Sequence, residues 1–137
     1  MCCMIGYEIL VADHPAADAR AVVAALERCG FAAAWCSDGF EALQLLFSTG
    51  RHSADEGANR LRAAIVSQDL AWPDGRELLS RIRASERLRT LPVVLLIGGG
   101  ASSNGAAGPA PDGILAKPIL DVDLIAVLAT LRLEARP

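Results

Sequence analysis

Three charged side chains in this sequence stand at or just beyond the ends of short apolar runs. Asp13 follows Ile9-Leu10-Val11-Ala12, Asp69 comes shortly after Ala63-Ala64-Ile65-Val66, and Lys117 follows Ile114-Leu115-Ala116. Two carboxylates brought together can hold a hard cation such as magnesium, which prefers oxygen ligands, keeps several waters and is commonly bound by one or two carboxylates plus phosphate oxygens. A lysine nearby supplies a point charge for a phosphoryl group, and a carboxylate can itself be the nucleophile that accepts it. All of this requires a fold that gathers residues spread over most of the chain.

The pattern of elements supplies such a fold. Glu8 to Ala12 reads as a strand that stops at Asp13-His14-Pro15, and the helical spacing of Val22, Val23 and Leu26 continues to Cys29, with Gly30 suited to the helix end. Phe31 to Cys36 is a second strand. A second amphipathic helix follows, carrying Phe40, Leu43, Leu46 and Phe47, with Ser37 or Asp38 as its cap. The polar stretch Gly50 to Asn59 lacks an apolar period and reads as a long, mobile loop containing His52. Strand three spans about Arg62 to Gln68, and Pro73 and Asp74-Gly75 then mark a turn before a helix from Gly75 to Ser85. Val93 to Ile97 is a continuous apolar run of the central parallel-strand type. Gly98 to Pro111, with five glycines and two prolines, predicts a fourth helix that is weak or absent. Gly113 to Ala116 is the fifth strand and Asp121 to Leu133 the last helix. Strands alternating with helices predict an α/β fold with a doubly wound, five-stranded parallel sheet covered on both faces. In strand order 2-1-3-4-5 the first and third strands are neighbours at the switch point, so Asp13 and Asp69 converge at the sheet edge where ligands bind in such folds.

Size and composition narrow the class further. A chain of 137 residues is one domain, 1–137, with a single sizeable core. A net charge of −3 gives no electrostatic reason to expect nucleic acid or an anionic membrane surface. No apolar run approaches the roughly 18 residues of a membrane span. Met1-Cys2-Cys3-Met4 lacks the basic and long apolar regions of a signal peptide, so the expected location is the cytoplasm. Cys2, Cys3, Cys29 and Cys36 show no zinc-ligand spacing; Cys29 and Cys36 read as buried small residues, and Cys2 and Cys3 as part of a frayed terminus. With Gly98-Gly99-Gly100 as a phosphate cradle, a nucleotide site is the rival enzyme-like reading. It fails in detail, because Ser103 breaks GxGxxG spacing and no GK[ST] follows.

Four segments together resemble the receiver domain of two-component response regulators, a flavodoxin-like fold, over nearly the whole chain. They are Ile9-Leu10-Val11-Ala12-Asp13-His14-Pro15, Asp69-Leu70-Ala71-Trp72-Pro73-Asp74-Gly75, Leu91-Pro92-Val93-Val94 and Lys117-Pro118. The resemblance implies that Asp69 is the phosphoacceptor, Asp13 a metal-binding acid, the carbonyl of Ala71 a backbone ligand to magnesium, and Lys117 the phosphate-contacting lysine. A histidine kinase or phosphotransfer protein is the implied partner. Enzymatic action is limited at most to magnesium-dependent phosphorylation and dephosphorylation of the domain's own aspartate.

The departures from the family pattern are specific. Ala12 takes the place of the first of two adjacent acids, Ile97 that of a Thr or Ser after the fourth strand, Ile114 that of a switch aromatic, and Trp72 that of a common Met, while the turn after Pro73 is shorter than usual. In the family the hydroxyl bonds the phosphoryl group and the aromatic ring follows; isoleucine cannot donate that bond. Magnesium binding should be weak with one acid missing. Two readings therefore stay open: an atypical receiver phosphorylated on Asp69, or a pseudo-receiver serving as an interaction module or small-ligand sensor. Purely structural roles fit the same residues, with Asp13 as a helix cap, Asp69 as a turn residue before the third helix, and Trp72 packed either over the site or on that helix. The last helix carries Leu124, Ile125, Val127, Leu128 and Leu131, an arc wider than a sheet face covers, which predicts a homodimer or partner contact through the face of strands four and five and that helix.

Overall fold

Alternating side chains along five short strands feed two separate apolar layers, one on each face of the sheet. The protein, seen here as a computed structural model, is described for residues 7–51, 61–98 and 108–133, without the side chains of residues 48–51. Its elements are β1 (Ile9–Ala12), α1 (Ala16–Arg28), β2 (Ala33–Cys36), α2 (Gly39–Arg51), β3 (Ala63–Ser67), α3 (Gly75–Ala84), β4 (Val93–Ile97), β5 (Gly113–Ala116) and α4 (Asp121–Thr130). All pairings are parallel, in the order β2-β1-β3-β4-β5. This is the fold class and strand order the sequence predicts.

On one face, Leu10, Ala12, Ala64, Val66, Val93 and Leu95 pack with Ala42 and Leu46 of α2 and Leu78, Leu79 and Ile82 of α3. On the other, Ile9, Val11, Ala63, Ile65, Val94, Leu96 and Leu115 pack with Ala19, Val22 and Leu26 of α1 and Leu124 and Leu128 of α4. Each fully buried Leu, Ile or Val contributes about 1.5–3 kcal/mol relative to exposure, so the three middle strands, buried on both faces, are the rigid part on which the site rests.

Local chemistry sets the element ends. Asp38 accepts the Glu41 N–H at 2.7 Å and Asp74 accepts the Glu77 N–H at 2.9 Å, capping α2 and α3. Gly30 closes α1 with φ 93, a conformation that favours a residue without Cβ. An exposed two-bond contact from Arg28 to Asp121, both at 2.9 Å, ties α1 to α4 and holds the Asp121 carboxyl below the ordinary carboxylate range.

Several sequence-based expectations change. Phe40 and Phe47, read as the buried side of α2, are exposed, because the helix turns Ala42 and Leu46 to the sheet. Cys36 is buried as expected, but Cys29 is half-buried at the end of α1. The fourth described helix is the last helix of the sequence reading. The expected weak helix of Gly98 to Pro111 falls largely on residues 99–107, outside the described residues, as do His52, most of the loop Gly50 to Asn59, and Cys2 and Cys3.

Candidate functional site

The carboxyl edge of the sheet is built by backbone bonds that extend the strand register past the last paired residues. The Asp13 N–H donates to the Cys36 carbonyl at 3.1 Å, the Gln68 N–H to Leu96 at 2.8 Å, and the Lys117 N–H to Ile97 at 2.9 Å. Asp13, Asp69 and Lys117 are thus carried on the ends of β1, β3 and β5, with β1 and β3 adjacent.

Asp13 is fully buried. Its Oδ1 accepts the His14 N–H at 2.8 Å and the Lys117 ammonium at 2.6 Å, while its Oδ2 is buried without a partner among the described residues. The side chain therefore does not cap α1, whose N-cap is Pro15. A buried carboxylate survives only when paired, and Lys117, itself one-fifth exposed, is the counter-charge. The ammonium also lies 3.5 Å from Asp18 Oδ2, on the first turn of α1.

Asp69 is exposed and its N–H donates to Ser67 Oγ at 3.2 Å. Among the described residues no donor reaches its carboxylate. Because Asp74 caps α3, Asp69 is not needed for that role. Its Oδ2 lies beside the end of β4, where a Cβ added to Gly98 would sit 3.5 Å away. Lys117 is bonded to Asp13 and Asp18 rather than to Asp69.

Between Asp69 and α3 the chain turns against the start of α2. The Ala71 carbonyl accepts the Gly39 N–H at 3.1 Å, and a Cβ on Gly39 would collide with the Pro73 carbonyl and sit 2.6 Å from that of Ala71. Only glycine permits this approach. Trp72, which the sequence left between two positions, is 63% exposed and lies under the Arg81 guanidinium of α3 at 5.2 Å, a cation–π contact on the helix rather than over Asp13.

The donor set fits a hard cation. Asp13 Oδ2 is an unsatisfied buried anionic oxygen, and Asp69 is a second carboxylate on the neighbouring strand end. Among the described residues no three His, Cys, Asp or Glu side chains cluster as a metal site, so protein carboxylates would supply few of the ligands. Beside the Asp13–Lys117 pair opens a cleft of about 520 Å³, lined by Asp18, Val22 and Arg28 of α1 and Pro118 and Ile119 beyond β5. Sequence reasoning placed Asp13, Asp69 and Lys117 on one edge. It missed Asp18 and Gly39, whose only sequence signals were an acid in a first helical turn and a glycine at a helix start.

Comparisons with known proteins bear on the whole arrangement. No protein-family profile matches the chain. A protein assigned as a methanogenesis regulatory protein, FilR2, from Methanothrix harundinacea is 40% identical over 92 residues, which cover 64% of this chain. The matched region spans 56% of that relative's length, so the likeness is to about half of it. Among solved structures, a protein assigned as a response regulator from Chloroflexus aurantiacus superposes with a TM-score of 0.76 at 26% identity, covering 92% of this chain and 98% of that one. The receiver domain of a sensor histidine kinase from Pseudomonas aeruginosa, crystallised with magnesium coordinated in its active-site cleft, gives a TM-score of 0.68 at 23% identity, with 93% and 98% coverage. Among the described residues no helix is long and apolar enough to cross a membrane. By strand order, sheet edge and structural likeness, the chain has the fold of the receiver domains found in response regulators.

Proposed function

We propose that this chain works in two-component signalling as an atypical receiver, accepting a phosphoryl group on Asp69 from the phosphohistidine of a histidine kinase or phosphotransfer protein in the cytoplasm. The observation that carries this reading is the buried Asp13–Lys117 pair, with Asp13 Oδ2 unpartnered, on the same sheet edge as an exposed Asp69 free of donors among the described residues. In the transfer a carboxylate oxygen of Asp69 bonds to phosphorus as the P–N bond of the phosphohistidine breaks, and the imidazole leaves with the bonding electron pair. The Lys117 ammonium stabilises the negative charge of the phosphoryl oxygens as they arrive.

Asp13, Asp69 and the Ala71 carbonyl are the residues that would hold magnesium, which when bound screens the repulsion between Asp69 and the incoming phosphoryl group. Accepting from Gly39 leaves the Ala71 carbonyl one lone pair for that use. With Ala12 in place of a second acid, binding is weak. The sensor-kinase receiver with magnesium in its cleft and the regulatory relative both favour this reading.

Output does not run through the usual hydroxyl and aromatic pair. Ile97 packs against the core on the α2 and α3 side, and Ile114 is 42% exposed. Signalling is instead by contact, with a second copy or a partner protein, through the β4, β5 and α4 face, where Val122 and Ile125 stand exposed. Incubation with acetyl phosphate and magnesium, read by intact mass, tests the acceptor: one added phosphoryl group, absent in Asp69→Asn, is expected. An unmodified wild-type protein leaves the alternative, a pseudo-receiver that acts only as an interaction module.

A further inference from the structure

Asp18 is an acid that no motif in the sequence singles out, yet it touches the lysine of the site. Its carboxylate lies 3.5 Å from Lys117 Nζ, opposite the 2.6 Å bond from the same ammonium to Asp13. Lys117 is thus held in a fork between the end of β1 and the first turn of α1, and neither bond goes to Asp69. The two contacts are unlike. Asp13 is 1% exposed at its side chain and fixed by the His14 N–H, whereas Asp18 is 47% exposed and the longer of the pair. The shorter contact anchors the lysine; the longer one biases where its free N–H donors point.

We infer that Asp18 is a positioning residue for Lys117, supplying from α1 a second carboxylate in a site where Ala12 offers none from β1, and holding the ammonium toward α1 until a phosphoryl group on Asp69 competes for it. The inference rests on the phosphoacceptor reading for its consequence, but the contact between Asp18 and Lys117 does not. Three features of the site support it. The Lys117 N–H is tied to the Ile97 carbonyl, so its side chain starts from a fixed point at the end of β5, beside β4. Among the described residues its ammonium has only these two bonds. Both acids and the lysine line the same cleft, so solvent and ligand reach the fork from one side. A simpler role for Asp18, favouring the helix dipole in the first turn of α1, predicts no dependence of Lys117 on it.

The consequence is a brake. To meet a phosphoryl group, Lys117 must give up Asp18 while keeping Asp13, so removing the Asp18 charge lowers the cost of that move. An exposed pair at this distance is worth a change of about two- to fivefold in rate. The test compares wild type, Asp18→Asn and Asp18→Glu, all checked for unchanged folding by circular dichroism, with two readouts. The first is the Lys117 side-chain NH3 signal in a nitrogen-15 NMR spectrum without phosphodonor. The second is the initial rate of phosphorylation by acetyl phosphate with magnesium. Asp18→Asn is expected to shift and broaden the Lys117 signal and to raise the rate two- to fivefold, with Asp18→Glu near wild type in both. An unmoved Lys117 signal overturns the inference whatever the rate. A moved signal with an unchanged rate overturns the brake. A moved signal in a protein that takes no phosphoryl group sustains the positioning of Lys117 and counts against the phosphoacceptor reading instead.

Discussion

Replacing Lys117 by Gln exposes how strongly the site depends on one counter-charge. In the folded protein Asp13 is fully buried, with one oxygen shared between Lys117 and the His14 N–H and the other unpartnered among the described residues. Glutamine keeps a hydrogen-bond donor and most of the side-chain bulk but leaves the buried carboxylate without a cation. Breaking a fully buried pair costs about 3–5 kcal/mol. Lys117 retains a fifth of its side-chain exposure, so solvent already screens part of the interaction and the expected loss is about 2–3 kcal/mol. For a domain of this size that lowers the melting temperature by roughly 8–12 °C. The assay is urea unfolding of wild type, Lys117→Gln, Asp13→Asn and the double variant at neutral pH. Asp13→Asn removes the buried charge, so the double variant should be more stable than Lys117→Gln alone, with a coupling energy of about 1–2 kcal/mol. Magnesium should recover part of the loss in Lys117→Gln, because the emptied side of Asp13 accepts a cation. A Lys117→Gln protein within about 0.5 kcal/mol of wild type, with no coupling to Asp13→Asn, would refute the reasoning that the pair compensates a buried charge.

Three further outcomes follow from other parts of the structure. Gly39→Ala forces a Cβ into the Pro73 and Ala71 carbonyls, so it should destabilise the domain by about 1–3 kcal/mol and displace the Asp69 to Pro73 turn, seen as a changed Trp72 fluorescence and slower phosphorylation. Ile97→Thr alone should not restore a phosphorylation-dependent switch, because Ile114 differs as well; NMR shifts spreading through β5 on phosphorylation of that variant would contradict this. Ile125→Glu should leave thermal stability within about 0.5 kcal/mol, since Ile125 is 54% exposed, yet weaken any dimer or partner contact measured by sedimentation.

The last of these shows where the sequence was legible and where it was not. Strands, their order and the three charges at their ends could be read, because buried parallel strands appear as unbroken apolar runs and loops as Gly, Pro and polar clusters. The last helix could not be oriented. With Leu124, Ile125, Val127, Leu128 and Leu131 almost all round, its period does not say which side faces the sheet. Val127, one residue of that apolar arc, is half-buried, with Cγ1 3.1 Å from where a Gly113 Cβ would stand, while Val122 and Ile125 point outward. The same limit hid Phe40 and Phe47. Contacts between distant residues left no local trace at all: the bond of Lys117 to Asp13, the reach of Asp18 to that lysine, and the fit of Gly39 against Ala71 depend on the packing of α1, α2 and β5 around the sheet edge.

The central claim is that Asp69, and no other side chain, receives the phosphoryl group. Borohydride reduces an aspartyl phosphate to homoserine, so treating the protein with acetyl phosphate and magnesium, reducing it, and mapping its peptides by mass spectrometry locates the acceptor. The account predicts homoserine at position 69 alone, diminished in Lys117→Gln and when magnesium is chelated. Homoserine at another aspartate, or none under conditions that label an active receiver in the same experiment, would contradict it.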